Sequence, residues 1–479
     1  MFHLSLSRDR RQHGSLVDQV VDGIAATINQ RIVPAGATLP SVRAFAKQQS
    51  LSPYTIAEAY QRLAAMGLIV ARAGAGYKVA DTGLGQWQPP PVPPPMDNAL
   101  SASWLLSDVF ADRQVPIKAG CGWMPGDWVN DAGLQHALRR VSRSPGARMG
   151  RYGHPYGWAA LREHIAATLR RWSLRVDAGQ ILLTQGVTQG LDLVVRTLLR
   201  AGDTVLVEDP GYCNLLQILK LAGVNVVSVP RTVDGFDIAT LEQAISTHRP
   251  KALFVNTVLQ NPSGTSLTVS AAFRLLQAAD RHGIWVVEDD ISRELAPAGA
   301  PMLAAMAGLD RVIYLSGFSK TITPAVRVGY VAASPSVVSQ LALTKMAVGL
   351  TSSEITERAV ANVLVEGHYE RHVVRLRERL AAAHDRVSPA LLAAGLKPMH
   401  LPRAGLFLWA RMPIAPDHAV VISEQALARG IWLAPGTYFR PGDEPSAWFR
   451  FNVATSDDPA LWTFLREIID TDSGPRQKR

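Results

Sequence analysis

Cysteine is nearly missing from this chain: only Cys121 and Cys213 occur among 479 residues, and no CxxC spacing is present. That argues against a disulfide scaffold or a structural zinc site and gives no support to thiol redox chemistry. No run is long and apolar enough to span a bilayer, and Met1 is not followed by a charged segment and an apolar h-region. A cytoplasmic chain without membrane partners is expected. Charged residues make up only 19% of the chain and hydrophobic residues 47%, the balance of a globular protein, and 479 residues exceed what one core supports, so two or three domains are expected. Acids are the scarcer sign, 40 against 49 Lys and Arg, for a net charge of +9. Residues 1–80 hold nine Lys and Arg against four acids. More than half of the excess therefore lies in the first sixth of the chain, which points to a polyanionic partner.

That first segment reads as three helices and a two-stranded wing. Leu16, Val20, Ile24 and Ile28 repeat every four residues behind a plausible cap, Ser15. After Pro34 and Gly36, Ser41 caps a short helix whose apolar groups are Val42, Ala44 and Phe45, leaving Arg43 and Lys47 to face outward. Ser52 caps a third helix with Pro53 in its first turn and Ile56, Tyr60 and Leu63 on its buried face. Gly67 ends it, and Leu68–Ala71 and Tyr77–Val79 bracket the turn Ala73-Gly74-Ala75-Gly76. Two short helices joined by a few residues, the second polar and cap-initiated, suit insertion in a major groove; spacing alone fits a helical docking module equally well.

Pro89, Pro90, Pro91, Pro93, Pro94 and Pro95 fall within seven positions and read as an extended spacer rising about 3.1 Å per residue. Beyond residue 110, strand-like runs (181–184, 204–207, 224–229, 253–255, 284–287, 312–315 and 328–332) alternate with helical patterns such as 190–199 and 270–281. Such alternation argues a mainly parallel sheet covered by helices, which binds ligands at the carboxyl ends of its strands. Polar residues follow those strands. Gly186-Val187-Thr188 opens a helix and offers free N–H groups to a phosphate. Tyr212, Asn261, Asp289 and Lys320 each follow an apolar run, and Arg327 precedes another. Apolar flanks around Lys320 disfavour its charged form and make a neutral amine available for a Schiff base. Each residue has an ordinary reading as turn, cap, core or surface pair. Together they form the set that pyridoxal phosphate needs: an amine, an acid for the ring nitrogen, an aromatic face, a donor to the phenolic oxygen and an anion site.

The segment PAGATLPSVRAFAKQQSLSPYTIAEAYQRLAAMGLIVARAGAGYKV resembles the winged helix-turn-helix of GntR-family repressors over about residues 12–80. The resemblance implies DNA contacts from Ser41, Arg43, Ser52, Tyr54, Thr55 and Arg72, although Pro53 fills a slot where that family often has arginine. Residues 115–470 resemble a fold-type I aminotransferase through RYGHPYGWAALREHIA, ILLTQGVTQGLDLV, VEDPGYCN, NPSG, VVEDD, SGFSKTITPAVRVGY and WFRFNVA. This second resemblance implies that Lys320 forms the internal aldimine, Asp289 pairs with the ring nitrogen, Tyr212 borders the ring and Asn261 bonds its phenolic oxygen. It further implies that Val187, Thr188 and Arg327 hold the phosphate, that Tyr152 reaches the phosphate of a neighbouring subunit, and that Arg450 grips a substrate carboxylate. A GntR-type head on such a domain is the plan of the MocR (GabR-like) regulators.

Two positions depart from that plan: Ile291 stands where the group commonly has tyrosine, and Gly317 stands three before the lysine, where a hydroxyl residue often helps hold phosphate. Ser316 and Ser319 are the candidate substitutes. The expected architecture is a winged head (12–80), a Pro-rich linker (81–109) and an α/β pyridoxal-phosphate transferase fold (110–475) with a smaller α+β subdomain at about 365–475. The expected protein is a homodimeric, DNA-binding regulator, with a domain-swapped arrangement included. It senses an amine, an amino acid or pyridoxal phosphate itself through Lys320, with slow turnover. A working aminotransferase with an accessory head, and a DNA-binding protein whose second part is only a dimerisation scaffold, are the alternatives.

Overall fold

The computed structural model describes residues 15–29, 32–72, 76–80, 115–129, 131–143 and 150–472. The expected Pro-rich linker and most of the wing's turn lie outside the described residues. The chain divides into two compact units, 1–99 and 100–479.

The first unit is built around the helix Pro53–Ala65, whose Ile56, Ala59, Tyr60 and Leu63 are buried. Ser52 caps it by accepting from the Thr55 N–H at 3.0 Å, and Tyr60 donates to the Pro40 carbonyl at 3.0 Å. Helix Leu16–Asn29 packs beside it through Val20, Val21 and Ile24. Ser15 and Asp18 cap that helix reciprocally, the Ser15 hydroxyl accepting from the Asp18 N–H and the Asp18 carboxylate accepting from the Ser15 N–H, each at 3.2 Å. Arg62 ties Asp18 and Glu58 together at 2.8 Å each. In the helix Val42–Gln49 the buried residues are Phe45, Ala46 and Gln49. Ala44, expected on the apolar face, is exposed; the stripe runs through positions 45, 46 and 49, a spacing that a helix of two turns cannot distinguish from its neighbour without the packing partner. Strands β1 (Ile69–Arg72) and β2 (Gly76–Val79) pair antiparallel, with Ile69 opposite Val79, and form the wing.

The second unit carries an eight-stranded sheet of β3 (Ile181–Thr184), β4 (Thr204–Asp209), β5 (Asn225–Thr232), β6 (Gly235–Phe236), β7 (Ala252–Asn256), β8 (Trp285–Asp289), β9 (Val312–Gly317) and β10 (Gly329–Ala332). Its order is β3-β10-β9-β8-β7-β4-β5-β6. Strands β4, β5, β7, β8 and β9 are parallel to their neighbours in that run, while β10 is antiparallel to both β9 and β3, and β6 is antiparallel to β5. All seven strands read from the sequence are present. Strands β7 and β10 are buried along their whole length, because helices such as Gly186–Leu198 and Val269–His282 cover opposite faces.

A smaller antiparallel sheet, β11 (Lys397–Pro398), β12 (Phe407–Arg411), β13 (Ala434–Pro435) and β14 (Trp448–Asn452) in the order β11-β12-β14-β13, forms the second lobe. Helix Tyr369–Ala393 spans both lobes: Tyr369 and Val373 belong to the large core, Leu376 to Leu391 to the small one. The sequence reading placed the small lobe wholly after residue 365. The structure adds Ile117 to Met124. Trp432 N–H donates to the Ile117 carbonyl at 2.8 Å, Gly120 N–H to Trp432 at 2.7 Å and Asn452 N–H to Ala119 at 2.7 Å, so this segment lies along the small sheet. It is too short and too irregular to announce itself as a strand, and its partners lie near the other end of the chain. Among the described residues, no helix is long and apolar enough to cross a membrane and no cluster of three metal-ligating side chains occurs.

Candidate functional site

Strands β4, β7, β8 and β9 end around a cavity of about 700 Å³ lined by Val187, Thr188, Tyr212, Asn261, Asp289, Lys320, Arg327 and Arg450. Thus every site residue expected in this unit lines one cavity except Tyr152. Tyr152 is 82% exposed and contributes nothing to the cavity of its own chain.

Lys320 follows β9 and donates to the Gly122 carbonyl. Burial, reinforced by the Arg450 charge, lowers its amine to about 8. Asp289 closes β8 and is only 8% exposed. Its carboxylate accepts from the Ile291 N–H at 3.2 Å, no Lys, Arg or His forms an ion pair with it among the described residues, and burial raises it to about 6. A buried carboxylate without a cation is costly unless a ligand supplies the missing donor.

The helix Gly186–Leu198 points its N-terminus at the cavity, and the first N–H groups of a helix lack intrahelical acceptors. Gly186 sits at φ +78°, and a Cβ there would lie 2.7 Å from the Arg327 Nη2. Only glycine lets that guanidinium close on the helix end, where it donates to the Gln185 carbonyl at 3.1 Å. Fixed N–H groups beside an arginine make an anion site.

Tyr212 and Asn261 stand on two loops held by a buried brace that sequence reasoning missed. Arg231, on β5, pairs with Glu208, on β4, and both are almost fully buried. Arg231 also donates to the Thr265 hydroxyl at 3.0 Å and the Asn256 carbonyl at 3.1 Å. Glu208 accepts from the Asn256 N–H at 3.1 Å and the Gln260 amide at 3.2 Å, while Gln260 donates to the Pro210 carbonyl at 2.7 Å and accepts from the Ser263 N–H at 2.8 Å. The brace therefore joins the Asp209–Tyr212 turn to the Gln260–Thr265 loop. The sequence signal was an acid in the last turn of an apolar run and an arginine late in the next, which becomes legible only once the two strands are known to be adjacent.

Arg450, on β14, is 6% exposed. Its guanidinium donates to Asn261 Oδ1 at 2.8 Å and the Gly120 carbonyl at 2.6 Å, and lies 4.8 Å from the ring centroids of both Phe407 and Phe439. No carboxylate pairs with it among the described residues, so this cation too awaits a partner of opposite sign. The two departures from the family pattern prove to be neighbours. A Cβ at Gly317 would meet Gly329 Cα and the Val328 carbonyl at 3.0 Å and Ile291 Cδ1 at 3.4 Å. Ser316 cannot stand in for the absent hydroxyl, because it donates to the Asp290 carbonyl at 3.0 Å within the core; Ser319 lines the cavity.

In the first unit, Arg43, Tyr54 and Arg72 are exposed, Tyr54 by 76%. Ser41 and Ser52 serve as helix caps, the Ser41 hydroxyl accepting from the Ala44 N–H at 3.2 Å, and the Ser52 and Thr55 hydroxyls bond each other at 2.8 Å. Tyr54 and Thr55 thus occupy the first turn of a capped helix whose outer face is open.

The large sheet, its smaller antiparallel lobe and the lysine beyond β9 define the second unit as a class I and II aminotransferase fold. The family described as Aminotransferase class I and II matches residues 121–468, and the family Bacterial regulatory proteins, gntR family, matches residues 16–79. The chain belongs to the regulators that fuse these two parts, the MocR (GabR-like) architecture. It is similar to the uncharacterized HTH-type transcriptional regulator YdcR of Escherichia coli, 31% identical over 452 residues, covering 93% of this chain and 95% of that one. It is also similar to the probable rhizopine catabolism regulatory protein MocR of Rhizobium meliloti, 28% identical over 395 residues, 78% of this chain and 76% of that one. Among solved structures, the α-aminoadipate aminotransferase LysN of Thermus thermophilus, complexed with N-(5'-phosphopyridoxyl)-L-leucine, superposes with a TM-score of 0.69 at 28% identity, over 75% of this chain and 93% of that one.

Proposed function

We propose that this protein is a pyridoxal-phosphate-dependent transcriptional regulator, a cytoplasmic homodimer that binds double-stranded DNA through its winged head and responds to a small amine or amino acid. One observation carries the reading: a single cavity gathers a buried amine, an unpaired buried acid and an arginine-capped helix N-terminus, in a chain that also bears a GntR-type head. The proposed units are the head at 12–80, a linker at 81–109 and the transferase-like domain at 110–475. When bound, the cofactor supplies an aldehyde carbon that exchanges one primary amine for another and a ring that withdraws electrons. The chain's residues fit that group. Asp289 would accept from the ring nitrogen, Tyr212 would border the ring and Asn261 would donate to its phenolic oxygen. Val187 and Thr188 N–H groups with Arg327 would hold the phosphate. Lys320 would provide the amine and, when displaced, the base that holds a proton. Tyr152, turned outward, would serve a partner's cavity.

DNA binding tests this reading. In the full chain, Arg43→Ala and Arg72→Ala are expected to weaken binding to specific and unrelated duplexes alike, each lowering the salt slope by about one unit, as for a lost phosphate contact. Substitution at Tyr54 or Thr55 should change sequence preference instead. A wild-type chain with no salt-dependent duplex binding would remove the regulator reading.

A working aminotransferase is the second reading, favoured by the intact Lys320 and Asp289 pair in a fold shared with LysN. Ile291 weighs against it, since an apolar side chain supplies no donor to the ring oxygen. Steady-state transamination slower than about 1 per second is expected. A faster rate would put the enzyme first.

A further inference from the structure

We infer that the effector is a monocarboxylic α-amino acid with an uncharged apolar or aromatic side chain. This rests on the cofactor reading above and goes beyond it by naming the ligand class. Among the described residues of one chain, four charged side chains line the cavity: Asp289, Lys320, Arg327 and Arg450. The first three are committed, Asp289 and Arg327 to the two ends of the cofactor and Lys320 to its aldehyde. Arg450 remains, a buried cation without a carboxylate partner among the described residues. It can meet one carboxylate.

The space beside it is open on the side that matters. Gly122 faces the guanidinium: a Cβ there would lie 3.7 Å from Arg450 Nη2, and the same residue's carbonyl accepts from Lys320. The missing side chain leaves room for a ligand carboxylate between the arginine and the reactive amine. The ligand's own side chain then meets a wall without a described charge, in which Trp123, Trp432, Leu259, Ile291 and Phe439 supply the apolar surface and Asn214, Ser292 and Tyr438 uncharged polar groups. The rings of Trp123 and Trp432 lie 5.4 Å apart, tilted by 34°, a continuous aromatic surface. No described cation remains for a second carboxylate, and no anion for a second ammonium. Burying either charge without a partner is strongly unfavourable, whereas an apolar side chain gains by leaving water. The Ile291 departure belongs to this wall.

The test is a titration of the full chain, reconstituted with pyridoxal 5'-phosphate, followed by visible absorbance. Leucine and phenylalanine are expected to give half-maximal spectral change at concentrations at least 10-fold lower than glutamate, aspartate or lysine. Isoamylamine and phenethylamine, which lack the carboxylate, should also need at least 10-fold more than their parent amino acids. Arg450→Met should collapse that carboxylate preference toward unity, and Arg450→Lys should keep part of it. Glutamate, aspartate or lysine acting as well as leucine would overturn the inference while leaving the cofactor reading intact. So would amines acting as well as their parent amino acids. If reconstitution yields no visible band at all, the cofactor reading fails and this inference falls with it.

Discussion

Lys320→Ala is expected to give a folded protein that takes up pyridoxal phosphate but releases it completely on denaturation. The wild type, reduced with borohydride before unfolding, should instead carry the cofactor's mass on Lys320 alone. The physical basis is the state of that amine. Burial and the neighbouring Arg450 lower it to about 8. At neutral pH its uncharged fraction is therefore about 300-fold greater than that of a solvated lysine. The other strongly depressed lysine is not a competitor. Lys345 is buried too, but it donates to the Pro155 and Leu183 carbonyls and the Ser352 hydroxyl at 2.8–2.9 Å, and all three of its donor positions are filled. The rate of attachment should rise with pH through a midpoint near 8 and flatten above it. Label on another lysine, or retention of label in Lys320→Ala, would refute the assignment.

Asp289→Asn should separate stability from binding. The folded-state value of Asp289, about 6, lies above its ordinary 3.8, and the cause is burial. For an acid shifted upward, the folded state is favoured while the group is protonated and loses that advantage as pH rises from about 4 to 6. Above that window the ionised carboxylate destabilises the cofactor-free protein by about 3 kcal/mol. Asparagine cannot ionise, so without cofactor the variant should be the more stable protein at pH 8, by an amount up to that figure, and the difference should fade near pH 4. With pyridoxal phosphate the order should reverse, because only the carboxylate pairs with a protonated ring nitrogen. A loss of cofactor affinity of at least about 100-fold is expected. Denaturant unfolding at the two pH values, with and without cofactor, checks both halves. A variant that is less stable than wild type at pH 8 without cofactor, or that binds cofactor equally well, would contradict this account.

Local chemistry explains what was legible in the sequence. Caps at Ser15, Ser41 and Ser52 mark helix starts because their hydroxyls satisfy N–H groups a few residues away, and that requirement is written within one turn. Strands β7, β8 and β9 are buried almost throughout and so read as apolar runs, and cavity-lining residues sit at or near the ends of these and other strands. Lys320, Asp289, Asn261, Tyr212, Val187, Thr188 and Arg327 could be found this way. What was not legible depends on partners distant in the chain. Nothing near Arg231 says that Glu208 lies on the neighbouring strand. Nothing near Ala44 says which side of a two-turn helix the core lies on. Gly317 looked like a lost hydroxyl; beside Ile291 and Gly329, it is a position with little room for a side chain.

The short segment from Ile117 to Gly122 places two backbone acceptors beside the cavity. In chain order this segment precedes every strand of the large sheet, yet it lies along the small one. Gly120 in that segment accepts directly from Arg450, and Gly122 accepts from Lys320. A ligand that draws Arg450 toward its carboxylate competes for the first bond, and one that engages Lys320 competes for the second. Both carbonyls are thus held by side chains that line the cavity, so a ligand recruiting either side chain would free backbone acceptors of this segment within the second unit.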